Sequence, residues 1–219
     1  MVHSLTEENY LKAILSLSNE NGQVNVNHLS KHLSIKMPTV TAMMKKLHSK
    51  KLVQYEAYKP LKLTDKGKKV AALVVRKHRL TEMFLVEKMG FGWEEVHDIA
   101  EQIEHIQSTE FFNKMDELLG FPKLDPHGSP IPDKHGKMVW KEYAKLSDCK
   151  KGDRVKLTAV INTSEDFLKL LNNKGLHLGS VLTIKAVEAF DGSMVVSYEK
   201  HTSETLSQVV CDRIRVEII

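Results

Sequence analysis

The chain has 219 residues, 42% of them hydrophobic and 27% charged, with a formal net charge of +4, which suits a folded chain of one ordinary domain plus a smaller one. No apolar run approaches the roughly 20 residues of a bilayer span, and the opening MVHSLTEENY lacks the charged and apolar regions of a secretory signal, so a cytoplasmic location is expected. Cys149 and Cys211 stand far apart and in no C-x-x-C spacing, which argues against a disulfide framework and against a thiolate zinc site.

The charge is unevenly placed. Residues 1–79 hold 15 Lys and Arg against 5 Asp and Glu, a balance of +10; the remainder holds 17 against 23, a balance of −6, and the two sum to +4. Lysines that merely solubilise a surface would be interleaved with acids, so this bias predicts a polyanion as partner of the N-terminal third.

In chain order, SLTE at Ser4–Glu7 has the form of a capping box, and Tyr10, Leu11, Ile14, Leu15 and Leu17 then recur at helical spacing, predicting a helix from about Leu5 to Asn19. VNHLSKHLSI predicts a second helix with Leu29, Leu33 and Ile35 inward. MPTVTAMMKKLHSKKLV predicts a third, with Pro38 in its first turn and Val40, Met43, Met44 and Leu47 on its apolar face. LVQYEAYKPLKLT alternates like two short strands around a turn at about Ala57–Pro60, and Thr64 can cap a long helix through DKGKKVAALVVRKHRLTEMFLVEKMG. Helix-turn-helix followed by a small hairpin is a winged helix.

Further helices are expected over about Trp93–Gln107 and in STEFFNKMDELLG, the latter stopped by Gly120. FPKLDPHGSPIPDKHGKMVW holds four of the six prolines and no period, and reads as a connection between domains. Beyond about Leu146 the runs DRVKLTAVI, SVLTIKAVEAF, MVVSYE and RIRVEII are short and β-branched. Asp191–Gly192 marks a hairpin and SEDFLKLLNNKG a single helix, together a small, partly open β-barrel.

In a winged helix the third helix enters the major groove by its N-terminal end. That end carries Lys36, Pro38, Thr39, Thr41 and Ala42, whose hydroxyls can bond bases or phosphates and whose apolar groups can pack on thymine methyls. Lys45, Lys46, Lys50, Lys51 and the wing residues Tyr58 and Lys59 are placed for phosphates. A winged helix used for protein contacts is the competing reading.

EEVHDIAEQIEHIQ poses a second chemistry. His97, Glu101, Glu104 and His105 fall at i, i+4, i+7 and i+8, within an arc of roughly 100° on an ideal helix. His78 and Glu82 lie one turn apart in RKHRLTE on the preceding long helix. Facing helices that give imidazole and carboxylate side chains to one gap are a way to build a metal site. Oxygen and imidazole donors without cysteine favour Mn(II) or Fe(II) over copper or structural zinc. A solvated polar edge is the plainer alternative. A helical di-iron enzyme would carry two Glu-x-x-His motifs where only Glu94–His97 is found near the site; a regulator answering an organic ligand would leave the carboxylates structural. His127 and His135, in the Pro-rich connection, read as surface histidines. Trp93 and Trp140 read as packing residues, Phe111 and Phe112 as the start of a helix with a dimer-forming apolar side, and His28, His32 and His48 as phosphate contacts or exposed groups.

RKHRLTEMFL, EEVHDIAEQIEHI and DPHGSPIP behind MPTVTAMMKKL resemble the diphtheria toxin repressor family, with its iron-dependent and manganese-dependent branches, over essentially the whole chain. The resemblance implies a mainly α chain with a β C-terminal domain: a winged helix-turn-helix (1–72), a helical metal-binding and dimerisation domain (73–144, with the linker 121–140) and a small Src-homology-3-like β-barrel (145–219). It implies a homodimeric repressor of metal-homeostasis genes that binds a palindromic operator on double-stranded DNA when loaded with Mn(II) or Fe(II), two ions per subunit. By motif, a primary site would use Asn9, Glu101, Glu104 and His105, and an ancillary site His78, Glu82 and His97 completed by Glu165 or Asp166. Two departures stand out. Where Asn9 lies, the iron branch has methionine and the manganese branch aspartate; where Lys12 lies, the manganese branch has a further carboxylate. Glu101, by contrast, agrees with the manganese branch, where the iron branch has cysteine.

Overall fold

The computed structural model describes residues 3–18, 21–139, 141–161 and 163–219; the expected helix end at Asn19 and the packing role of Trp140 fall outside them. The chain forms two compact units. The first comprises Met1–Thr81, Ile99–Lys123 and Ile131–Val139, and the second Glu82–Asp98, Leu124–Pro130 and Trp140–Ile219.

The first unit opens with α1 (Leu5–Leu17), where Ser4 and Glu7 form the reciprocal capping box that their spacing predicts. Asn25 caps α2 (Val26–His32), and α3 (Met37–Ser49) carries Pro38 in its first turn. Leu11, Ile14, Leu29, Val40, Met44 and Leu47 are fully buried and pack these three helices on each other. The wing is a three-stranded antiparallel sheet in the order β1 (Gln23–Val24), β3 (Leu61–Leu63), β2 (Val53–Gln54). β1 escaped the sequence reading because two residues carry no alternation. The Thr64 hydroxyl accepts from the Gly67 amide at 3.0 Å and so caps α4 (Asp65–Met89). A Cβ on Gly67 would stand 1.9 Å from the Leu52 carbonyl oxygen, so only glycine lets the helix approach the wing this closely.

α5 spans His97–Ile103 and is shorter than the expected Trp93–Gln107. Upstream, the Glu95 carboxylate captures the Gly92 amide at 2.8 Å and holds a turn; downstream, the Ile106 amide bonds back to the Ile103 carbonyl at 3.0 Å and tightens the chain out of the helix. Glu104 and His105 therefore sit just past its C-terminal end. Ser108 caps α6 (Thr109–Leu118) and Gly120, at φ +72°, follows its end. Among the described residues no helix is long and apolar enough to cross a membrane.

The second unit contains a six-stranded antiparallel sheet in the order β4 (Ala144–Lys145), β9 (Ile214–Ile218), β5 (Arg154–Val160), β6 (Val181–Val187), β7 (Met194–Tyr198), β8 (His201–Leu206). Register shifts in the β5–β9, β6–β7 and β7–β8 pairs bend it into a small Src-homology-3-like barrel. Leu157, Leu182, Met194, Val196 and Ile214 fill it, with Leu168 and Leu171 of α7 (Glu165–Asn173) packed against them. The short α8 (Gln208–Cys211) precedes the last strand. β8, an edge strand reading HTSETL, is too polar to have been seen as a strand from sequence. Cys149 and Cys211 are both free and buried, and burial pushes the Cys211 thiol up to about 12.

One polar contact fixes how α1 meets α3. Glu7 is 1% exposed. Burial by itself raises its carboxyl, yet hydrogen bonds from Lys50 at 2.6 Å, from Lys46 at 3.0 Å and from the Ser4 amide bring it from an ordinary 4.5 down to about 2. A carboxyl depressed in the folded state stabilises the fold above its unfolded value, and the contribution fades as pH falls from about 4.5 through about 2. Glu7→Gln should therefore unfold about 1–3 kcal/mol more easily than the parent near pH 7, with the gap closing across that acid window; a gap independent of pH would assign the loss to packing.

Candidate metal centres and nucleic-acid interface

Within the first unit, α1 faces the segment that closes α5. Glu104 is wholly buried. Its Oε2 lies 2.6 Å from Nδ1 of His78 on α4 and 2.9 Å from the Lys12 ammonium, and its Oε1 lies 2.8 Å from the same ammonium, which also binds Glu101. Glu8, 4% exposed, receives the His105 Nδ1–H at 2.7 Å and the Gln107 side-chain amide at 3.0 Å. A carboxylate only accepts, so His105 carries its hydrogen on Nδ1 and turns the lone pair of Nε2 inward, 3.5 Å from Glu104 Oε1. Nε2 of His105 and Oδ1 of Asn9 are both buried and make no hydrogen bond within the chain.

These properties suit a pocket that could hold a metal ion. An imidazole oriented by a carboxylate through one nitrogen presents the other as a ligand, and an amide oxygen buried without a donor is costly unless something positive meets it. Glu101, Glu104, His105 and Asn9 offer two carboxylates, one imidazole and one amide oxygen, a hard donor set that fits Mn(II) or Fe(II). Two residues that border the pocket were not read as parts of it from sequence. Glu8 shares a helical face with Lys12 at i, i+4, but its pairing with His105 is a tertiary contact that spacing does not show. Lys12 stands where the manganese branch has a carboxylate, and its ammonium lies among the carboxylates.

The second unit holds another cluster. Glu82, Asp125 and His127, all buried, bring ligand atoms within 4.8 Å of one another. The sequence reading of His127 as a surface histidine is corrected: it is 4% exposed, stacks on Trp93 and donates from Nε2 to the Trp93 carbonyl at 2.9 Å, which leaves Nδ1 with its lone pair 3.8 Å from Glu82. Asp125 folds its own loop, since Oδ1 accepts the amides of His127 and Ser129, each at 2.9 Å. The His127 carbonyl accepts from the Val160 amide at 2.9 Å and so fastens the loop to β5. The proline-rich segment is thus ordered structure and contributes Leu124–Pro130 to this unit and Ile131–Val139 to the other. His97 places Nδ1 3.4 Å from Glu82 Oε1 with its ring half exposed. Glu165 and Asp166 are exposed at the start of α7, where Glu165 pairs with Lys169.

At the other end of the first unit, Lys36, Pro38, Thr39, Ala42 and Lys45 are exposed along one end of α3, and Thr41 is half-buried. A groove of about 470 Å³ runs past Asn25, Asn27, Thr41, Lys45 and the wing residues Tyr58 and Lys59. Tyr58 stands fully in solvent at φ 64°, the wing tip, and Lys59 pairs with Glu56. Lys46, though exposed, turns to Glu7. His28, His32 and His48 are exposed, and His48 also bonds the backbone of Val53 and Tyr55.

A winged helix joined to a helical carboxylate–imidazole pocket and a small β-barrel is the make-up of a metal-responsive DNA-binding protein. Residues 4–61 match the family described as iron dependent repressor, N-terminal DNA binding domain; residues 64–133 match iron dependent repressor, metal binding and dimerisation domain; and residues 144–218 match the FeoA domain. The iron-dependent repressor IdeR of Mycobacterium leprae is 27% identical over 97% of this chain and 96% of its own length. The HTH-type transcriptional regulator MntR of Bacillus pumilus is 34% identical over 52% of this chain and 78% of its own. Among solved structures, a manganese-dependent transcriptional repressor in complex with manganese superposes with a TM-score of 0.88 at 30% identity, covering 97% of this chain and all of that one. The chain belongs to the diphtheria toxin repressor family.

The loop that carries Asp125 and His127 turns on Gly128, at φ +86°, where a Cβ would stand 2.3 Å from the Thr158 carbonyl oxygen. Gly128→Ala should destabilise the fold by about 1–3 kcal/mol, read by denaturation followed through tryptophan fluorescence, and should loosen any ion held by Glu82 and His127. Unaltered stability would mean that the loop relaxes without its glycine.

Proposed function

We propose that the chain is a metal-dependent transcriptional repressor, not an enzyme, which acts in the cytoplasm as a homodimer on a palindromic operator and governs metal-homeostasis genes in response to Mn(II) or Fe(II). The observation that carries this reading is the buried pocket in which Asn9 Oδ1 and His105 Nε2 lack hydrogen bonds beside Glu101 and Glu104. Asn9, Glu101, Glu104 and His105 would hold one ion, with His78 supporting Glu104. Glu82, Asp125 and His127 would hold a second, with His97 beside Glu82 and with Glu165 or Asp166 as the further donor that the family resemblance implies. When bound, a divalent ion would supply a Lewis-acidic centre that draws these carboxylates and the imidazole together.

The chain's own residues carry the signal. α1 is gripped from two sides: Glu7 ties it to Lys46 and Lys50 at the far end of α3, while Glu8 and Lys12 tie it to the segment 101–105. Anything that fixes α1 against that segment fixes α3 as well, and with it Lys36, Pro38, Thr39, Thr41, Ala42 and Lys45 at the groove and Tyr58 and Lys59 at the wing. Two reading heads so fixed can meet two half-sites at one spacing. Phe111, Leu118 and Phe121 on and just after α6 are exposed apolar groups suited to self-association, whereas Phe112 is buried.

In a mobility-shift assay on the operator, micromolar Mn(II) or Fe(II) should tighten binding over chelator by roughly 5- to 150-fold, the span of a typical coupling between sites. Glu104→Gln should abolish the gain. Equal DNA affinity with chelator and with metal would sink the proposal.

A further inference from the structure

We infer that Lys12 is a built-in competitor at the first metal centre, a resident cation that a divalent ion has to expel and that therefore sets how much metal the protein needs. The inference rests on the proposed role of Glu101, Glu104 and His105 as ligands. Lys12 lies one turn beyond Glu8 on α1, so the two share a face, and its side chain is 19% exposed. Its ammonium meets both oxygens of Glu104, at 2.8 and 2.9 Å, and an oxygen of Glu101. An ammonium has three hydrogens and no acceptor, so these contacts use its full donor capacity. Every one falls on a carboxylate oxygen that a metal ion would require.

Two cations cannot share those oxygens. Charge-assisted hydrogen bonds and coordinate bonds draw on the same lone pairs, and like charges held a few ångströms apart beside the wholly buried Glu104 repel. The groups that face the ammonium are the carboxylates of Glu101 and Glu104, with His78 and His105 set against Glu104. Lys12 can leave nonetheless, because its flexible methylene stem lets a charged head snorkel to water while the stem stays packed. With the ammonium in place, α1 is tethered to segment 101–104 and the wholly buried Glu104 has its counter-charge; the metal-free protein therefore holds its fold. The same tether opposes every divalent ion alike, so it sets a threshold and leaves the order of preference among ions unchanged.

The test compares the full chain with Lys12→Met, which keeps the stem and removes the charge, and with Lys12→Arg, which keeps the charge. All are made in a Glu82→Gln background so that one centre is read by calorimetric titration. Lys12→Met should bind Mn(II) and Co(II) at least tenfold more tightly, by the same factor for both, and should melt at a lower temperature than its parent in chelator. Lys12→Arg should bind no more tightly than the parent. If Lys12→Met does not fold in chelator, Lys12→Gln, which keeps a donor to Glu104, carries the same measurement. Unchanged or weakened Mn(II) affinity without the charge overturns the inference about Lys12. A parent protein whose Mn(II) binding survives Glu104→Gln overturns instead the assignment of the centre itself.

Discussion

A carboxylate with no access to solvent must find its positive charge inside the fold, and Glu104 is the point at which this chain meets that demand. Leaving such a group ionised and unpaired costs several kcal/mol. Two groups meet it: Lys12 from α1 and His78 from α4. Each partner comes from a different stretch of sequence. The requirement that Glu104 be neutralised thus becomes a requirement that α1, α4 and the end of α5 stay together.

That dependence makes α1 informative. Its two successive glutamates face opposite tasks: Glu7 holds two lysines at the end of α3, and Glu8 aligns His105. A rigid helix of 13 residues with both contacts in its first turn cannot move at one end of this chain of contacts without moving the other. Coupling between pocket and reading head therefore needs no long pathway. In the proposed mechanism it would be carried by adjacent residues on one element, a physically continuous route.

Much of this was legible from residues alone, and the limits follow from physics. Capping boxes, the Pro38 turn and the apolar stripes of α1 to α4 are local signals, and the helices form where those signals lie. The convergence of carboxylates and imidazoles between Glu101 and His105 was visible as spacing. Three things were not. The true length of α5 depends on the Glu95 side chain capturing a backbone amide, a bond that periodicity cannot show. The burial of His127 depends on Asp125 folding a proline-rich loop and on the close approach of Gly128 to β5, both tertiary facts. Lys12 at the carboxylates depends on α1 crossing a segment some 90 residues away.

The replacement of a possible aspartate by Asn9 makes sense beside Lys12. Glu8, Glu101 and Glu104 already bring three carboxylates to this region. A fourth would add like-charge repulsion that a single ammonium could not relieve, and the metal-free fold would loosen or take up protons. A neutral amide oxygen offers a ligand without that repulsion, at the cost of weaker attraction for the ion. In the proposed site, Asn9 in place of a carboxylate and Lys12 among the carboxylates would act in the same direction, each weakening the hold on the ion. A sensor built this way would stay folded when metal is scarce and respond only when metal is plentiful, with the threshold set by one face of one helix.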